Sequence, residues 1–217
     1  CGVFGIFDNK DAAALTALGL HALQHRGQES AGISVADGET IKVVTNMGLV
    51  AQAFREEDLK GLNGHVSIGH TRYSTSGSSL LCNAQPMVIK GPYDDFAIAH
   101  NGNVVNALDL KKELQEVGCK FSSTTDTEIL AQLLANSPGS RWEQRIQYIM
   151  RRVQGAYSLA ILTKDSMIAV RDPLGVRPLC VGSINGGWIV ASESCALDNL
   201  GASLIREIDP GEAIIIN

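Results

Sequence analysis

Apolar residues fall into short runs near both ends of the chain and take a wider, helical spacing between them. The opening run Val3-Phe4-Gly5-Ile6-Phe7 predicts a buried strand with Cys1 directly ahead of it. Asp11 is placed to cap a helix whose apolar face would be Leu15, Leu18, Ala22 and Leu23, ending near Gly27. Ile33–Val35, Ile41–Val44, Val66–Ile68 and Phe96–Ala99 read as strands separated by Asp-Gly, Asn-Gly and Gly-Pro punctuation. Helical spacing then holds over Ala107–Val117, Thr127–Ala135 and Trp142–Val153. Strands return at Ser158–Leu162, Met167–Val170, Leu179–Val181, Trp188–Ala191 and Ile214–Ile216, with Asn185-Gly186-Gly187 as a hairpin turn. Strands on either side of a helical middle imply an α+β fold with two sheets and helices packed outside them, rather than an alternating βαβ one. The final apolar run has no closing helix or polar tail, which suggests one module of a longer enzyme.

Composition narrows the function classes. The 217 residues suit one large domain, and 45% hydrophobic with 19% charged residues is ordinary globular usage. A net charge of -5 without a Lys/Arg run argues against a nucleic-acid partner. No stretch approaches the roughly 18 consecutive apolar residues of a membrane span, so a cytoplasmic protein acting on a small molecule is expected. Five cysteines, Cys1, Cys82, Cys119, Cys180 and Cys195, lack the spacing of a disulfide framework or a metal motif and should be reduced. A chain that opens on Cys implies removal of an initiator Met or a propeptide.

That first residue carries a thiol and an α-amine together. An amine with an ordinary pKa of about 7.7–8.0 is partly unprotonated at neutral pH and can take the thiol proton. Asn101-Gly102 ends an apolar strand; as a sharp turn it would aim one side-chain amide and one backbone N–H at a developing oxyanion, although most such pairs are turns without chemistry. Gly69 to Gly77 is polar and hydroxyl-rich, and its Arg72 offers a planar fork to a carboxylate with Thr75 or Ser76 beside it, as in a lid over an anionic substrate. Thr125 and Glu128 have capping-box spacing, which puts Asp126 in a first helical turn, either favoured there by the helix dipole or set against an ammonium group. His21 and His25 lack the Glu of a zinc-hydrolase motif, and neither a G-x-G-x-x-G nor a P-loop pattern occurs, so no metal is assigned.

Cys1-Gly2-Val3-Phe4-Gly5-Ile6, His25 to Ile33, Gly69 to Gly77, His100 to Asn103, Thr124 to Glu128 and Arg171 to Leu179 together resemble the glutaminase domain of the N-terminal-nucleophile (class II) glutamine amidotransferases. The version Arg26-Gly27-Gln28-Glu29-Ser30 is most similar to the amidophosphoribosyltransferase branch, which begins purine biosynthesis. The resemblance implies a four-layer αββα sandwich of two antiparallel sheets and hydrolysis of glutamine to glutamate and ammonia. It makes Cys1 the nucleophile, Asn101 and Gly102 the oxyanion hole, and Arg72 with Thr75 the grip on the α-carboxylate. Asp126 becomes the α-ammonium site and Arg26 a support beside Cys1.

No cofactor is expected in this domain. Mg2+ and an iron-sulfur cluster, where the family has one, belong to a phosphoribosyltransferase domain on the rest of the chain, and a homo-oligomer is expected at full length. Asp94-Asp95 precedes its strand and does not match that domain's acidic pair. Other members of the class, such as glucosamine-6-phosphate synthase, a glutamine-binding module without catalysis and an N-terminal-nucleophile peptidase remain as alternatives.

Overall fold

The opening apolar run is strand β1 (Gly2–Phe7) in the computed structural model, which describes residues 1–74 and 78–217. Helix α1 (Ala12–Ala22), strands β2 (Ser30–Ala36) and β3 (Ile41–Met47), short helices α2 (Val50–Ala53) and α3 (Glu56–Gly61), and strand β4 (Val66–Arg72) follow. Strands β5 (Met87–Lys90) and β6 (Asp95–Val104) lead into the helical middle, α4 (Ala107–Glu116), α5 (Asp126–Ala135) and α6 (Trp142–Arg152). Strands β7 (Gly155–Leu162), β8 (Met167–Arg171), β9 (Cys180–Ile184) and β10 (Gly187–Ala191), helix α7 (Cys195–Asn199) and strands β11 (Ser203–Glu207) and β12 (Ala213–Ile216) complete the chain.

Among the described residues, one sheet runs β11-β9-β10-β1-β4-β2-β3 and a second runs β12-β8-β7-β6-β5. Their pairings are antiparallel. Alternation along each strand decides the layers, because successive side chains leave a strand on opposite faces. On β1, Phe4 and Ile6 pack with Leu20 and Leu23 at α1, whereas Val3 joins Ile68, Ala97, Ala99, Ala160 and Ala169 between the sheets. On β6 and β7, Phe96, Ile98, Leu159 and Ile161 face Leu130, Leu134 and Ile149 of the middle helices. The order is helix, sheet, sheet, helix, the αββα sandwich. Alanines on the facing surfaces of β6, β7 and β8 leave room for two sheets to approach closely.

Two local expectations change. α1 buries Ala12, Ala13, Thr16, Gly19 and Leu20, while Leu18 is exposed. Gly19 sets that face, since a Cβ there would lie 2.5 Å from the Phe4 ring. The helix also ends at Ala22, and a single 3-10 turn over Gln24–Arg26 carries the chain to Gly27. The β9–β10 hairpin is as expected, with Asn185 and Gly186 at φ 49° and 88°, the left-handed values a two-residue turn needs. Asp94 accepts from Arg145 Nη1 at 2.7 Å and Trp142 Nε1 at 3.0 Å, so it anchors α6. No helix among the described residues is long and apolar enough to cross a membrane.

Candidate active site

Cys1 sits at the end of β1 and is held on every backbone side. Ahead of it in the sheet, Val3 N–H donates to Ser192 Oγ and Ser192 N–H to the Val3 carbonyl, both at 2.9 Å. The Cys1 amine donates to the Arg26 carbonyl at 2.8 Å, and Arg26 Nε returns a bond to the Cys1 carbonyl at 2.8 Å. The Arg26 guanidinium is ion-paired with Glu193, whose other oxygen lies 2.9 Å from His25 Nε2. The Cys1 thiol donates to the Tyr73 carbonyl at 3.3 Å. Burial, then the cations of Arg26 and Arg177, lower the pKa of this amine to about 5. It is therefore neutral through the physiological range, more completely than a free α-amine would be.

Strand register brings the remaining groups to the same end. Gly2 faces Thr71 and Val3 faces His70 across β1–β4, so Cys1, Val3, His70 and Arg72 share the face turned toward the second sheet. His70 Nε2 bridges the sheets to the His100 carbonyl at 2.9 Å. Asn101 follows His100 and takes the inward face with Ala97 and Ala99. Its Nδ2 is buried without a hydrogen-bond partner among the described residues.

The expected Asn-Gly turn is absent, because β6 runs straight through it, pairing Asn101 with Ser158 and Gly102 with Tyr157. The donor is aimed by strand alternation, which a turn-forming dipeptide conceals. A Cβ at Gly102 would lie 2.0 Å from the Ala156 carbonyl oxygen, so that position requires glycine for close approach.

Asp126 lies across β6, on the helix side. One oxygen accepts from Val104 N–H at 2.9 Å and the other is 3.7 Å from His100 Nδ1. The expected capping box does not form: Thr125 makes no side-chain cap bond. Glu128 instead accepts from Ser122 N–H at 2.8 Å and Ser123 N–H at 2.7 Å, folding the approach to α5. Arg72 is buried at the end of β4 rather than in a loop, ion-paired with Glu29 and donating to the Ser78 carbonyl at 3.2 Å. Ser74 also donates to Glu29 through its N–H at 3.1 Å and through its hydroxyl. Thr75 and Ser76 lie outside the described residues.

Glu29, Tyr73, Ser74, Ser79 and Gly27 line a cleft of about 580 Å³ over this end. A larger one, about 690 Å³, lies by Lys10, Glu56 and His65 at the opposite end of β1 and β4. Of the expected residues, Cys1, Arg72 and Asn101 take the inter-sheet faces, Arg26 stands on the α1 side of β1, where a Cβ on Gly2 would meet it, and Asp126 stands behind β6. Ser192, Glu193 and His70 were not legible as site residues, since their partners are far along the chain and no local pattern marks them. His25, Glu193 and Cys195 also lie within 4.8 Å of one another, but Glu193 is already engaged by Arg26 and His25. One thiolate does not suit an iron-sulfur cluster, which takes four.

A family model described as a glutamine amidotransferase domain matches residues 70–199. An amidophosphoribosyltransferase of Methanocaldococcus jannaschii is 45% identical over 220 residues, spanning 100% of this chain and 47% of its own length. One of Rhizobium etli is 47% identical over 216 residues, 99% of this chain and 44% of the relative. The chain thus spans about half the length of these curated relatives. The solved glutamine phosphoribosylpyrophosphate amidotransferase from B. subtilis, complexed with ADP and GMP, superposes with a TM-score of 0.94 at 42% identity, covering 100% of this chain and 47% of that one.

Proposed function

The chain belongs to the glutamine amidotransferase domain family, and from that premise we propose that it is the ammonia-releasing half of a purine-pathway amidophosphoribosyltransferase, with Cys1 as nucleophile. One observation carries the reading: a thiol and a desolvated, neutral amine on one residue share the inter-sheet face with a buried side-chain amide that has no partner among the described residues. An amine held to the Arg26 carbonyl keeps a lone pair for the thiol proton while its own N–H bond fixes its direction.

In the proposed reaction the thiol proton passes to the α-amine as sulfur attacks the side-chain carbonyl of glutamine. The transfer runs uphill to an amine this weakly basic, so it accompanies the attack instead of preceding it. Asn101 Nδ2 and the Gly102 N–H hold the tetrahedral oxygen. The ammonium, an acid of pKa about 5, protonates the departing nitrogen, the carbon–nitrogen bond breaks, and ammonia leaves a γ-glutamyl thioester. Water then attacks the thioester, giving its proton to the same amine, and expulsion of sulfur releases glutamate and restores the thiol.

Arg72 takes the α-carboxylate. A guanidinium is a planar fork of N–H donors that matches a carboxylate, as its ion pair with Glu29 illustrates. Asp126 takes the α-ammonium through the oxygen facing His100, and Arg26 supports Cys1 from behind. Thr75 is assigned to the carboxylate grip on the family resemblance alone. This half needs no cofactor; Mg2+ and any iron-sulfur cluster are placed in the phosphoribosyl half, which would receive the ammonia.

The test is the intact mass of the chain before and after a diazoketone analogue of glutamine, alongside ammonia release from glutamine. One adduct, lost in Cys1→Ala, and ammonia formation that stops when the α-amine is acylated are the outcomes expected. An adduct elsewhere, or ammonia release that survives acylation, removes Cys1 from the role.

A further inference from the structure

One edge of β6 is covered for only part of its length. β5 pairs with it from Lys90 opposite Asp95 to Met87 opposite Ile98, and beyond Ile98 no strand among the described residues lies on that side. Backbone groups of successive residues in an antiparallel pair point alternately toward the partner strand and away from it. Val105 N–H donates to the Gln154 carbonyl on the β7 side at 2.7 Å, so Asn101 and Asn103 also turn to β7, while His100, Gly102 and Val104 turn to the open edge. The Gly102 N–H is thus kept out of the ladder by the place where β5 stops.

The residues on either side of Gly102 along that edge are nonetheless held. Val104 N–H donates to Asp126 at 2.9 Å. His100 is held twice: its N–H donates to Gln85 Oε1 at 2.7 Å, and its carbonyl accepts from His70 Nε2 at 2.9 Å. Side chains stand there in place of a strand. Gln85 is 4% exposed, and its Nε2 donates in turn at 2.9 Å to Oγ1 of Thr127, the residue after Asp126 in the first turn of α5. The Gln85 backbone rests on the other sheet, since a Cβ at Gly32 of β2 would lie 2.1 Å from the Gln85 carbonyl oxygen. One amide therefore reaches both the residue before Asn101 and the residue after Asp126.

We propose that Gln85 is a positioning residue for both ends of the glutamine site, its Oε1 fixing the open edge of β6 at the oxyanion pair and its Nε2 fixing the start of α5 at the ammonium site. The inference rests on the glutaminase reading and gives Gln85 no contact with substrate. A side-chain bridge suits this place. A further strand paired there would take the Gly102 N–H into its own ladder, and an edge without a bridge would leave the buried His100 N–H without an acceptor. The two halves of the amide then have separable consequences: slack at β6 is felt where charge develops, and slack at α5 where the ground-state substrate is bound.

The experiment compares the full-length wild-type protein with Gln85→Met, Gln85→Glu and Thr127→Val, by steady-state glutaminase kinetics and amide hydrogen exchange well below Tm. Met keeps the length of the side chain without its amide, Glu keeps an acceptor for the His100 N–H, and Val keeps the shape of Thr127 without its hydroxyl. Gln85→Met should lower kcat about tenfold or more, and should quicken exchange over residues 100–104 while the β7–β8 ladder exchanges as in wild type. Gln85→Glu should recover most of that kcat. Thr127→Val should raise KM several-fold with kcat within about threefold of wild type.

Wild-type kcat in Gln85→Met overturns the proposal, as does a Glu variant no better than Met or an unchanged KM in Thr127→Val. Loss of the fold in Gln85→Met overturns it too, since Gln85 would then serve folding rather than the site. If the wild type itself neither releases ammonia nor reacts with the diazoketone analogue, the glutaminase reading falls, while exchange over residues 100–104 still tests the bridge.

Discussion

Asn101 and Arg72 lie at the same end of the inter-sheet space but are assigned to different parts of the proposed substrate, so their removal should separate binding from turnover. Asn101 would meet charge that exists only in the tetrahedral state. Asn101→Ala should lower kcat by about 10²–10³ with KM nearly unchanged. Arg72 would meet a carboxylate present throughout, so Arg72→Ala should raise KM steeply. Steady-state kinetics on both variants decides, and a matched loss of kcat and KM in Asn101→Ala would remove it from the oxyanion hole. Cys1 stood out as a candidate because a thiol and an α-amine meet on one residue, but its place at the terminus did not decide the matter; the further motifs along the chain pointed to it. Asn101 was offered as an oxyanion donor on the basis of a turn that is not there: β6 continues through the pair and alternation aims the side chain. Glu193 was hidden because its partner Arg26 is 167 residues away.

At the scale of elements, the approach to α5 depends on one carboxylate. Glu128 holds the N–H groups and hydroxyls of Ser122 and Ser123, and these residues lead directly to Asp126. Hydrogen bonding outweighs burial and keeps the Glu128 carboxyl below its usual range. Glu128→Ala should cost about 1–3 kcal/mol in denaturant unfolding, because buried donors lose their acceptor, and should raise KM by displacing Asp126. Unchanged stability would show that water replaces the carboxylate without penalty. Strands such as those at Val3–Phe7 and Ser158–Leu162 were readable because buried runs of this kind have few alternatives. β11 was not, since all five of its residues are exposed and an edge strand without a buried face carries no apolar period. On α1 the expected Leu15, Ala22 and Leu23 pack on the core, but Leu18 is exposed, because Gly19 and Ala12 turn toward the sheet instead.

For the whole molecule, Cys1 and Asn101 belong to different sheets, so the distance between the sheets would set how the two groups approach one substrate. The facing layer uses Ala97, Ala99, Ala160 and Ala169, each 0% exposed. Ala160→Leu should destabilise the fold by about 1–3 kcal/mol through overpacking, and should reduce glutaminase rate more than this loss of stability explains, because the sheets carry the two halves of the site. Thermal unfolding and activity measured well below Tm test it, and full activity in a destabilised variant would uncouple sheet spacing from catalysis. The chain by itself determined the class of elements and the sandwich they suggest, and offered Cys1 as the candidate nucleophile, because apolar runs, helical spacing and a terminal thiol are local properties. Tertiary structure alone decided which faces oppose one another, the low basicity of the Cys1 amine and the placing of Glu193 beside Arg26. Register, burial and field strength arise only when residues distant along the chain are brought together.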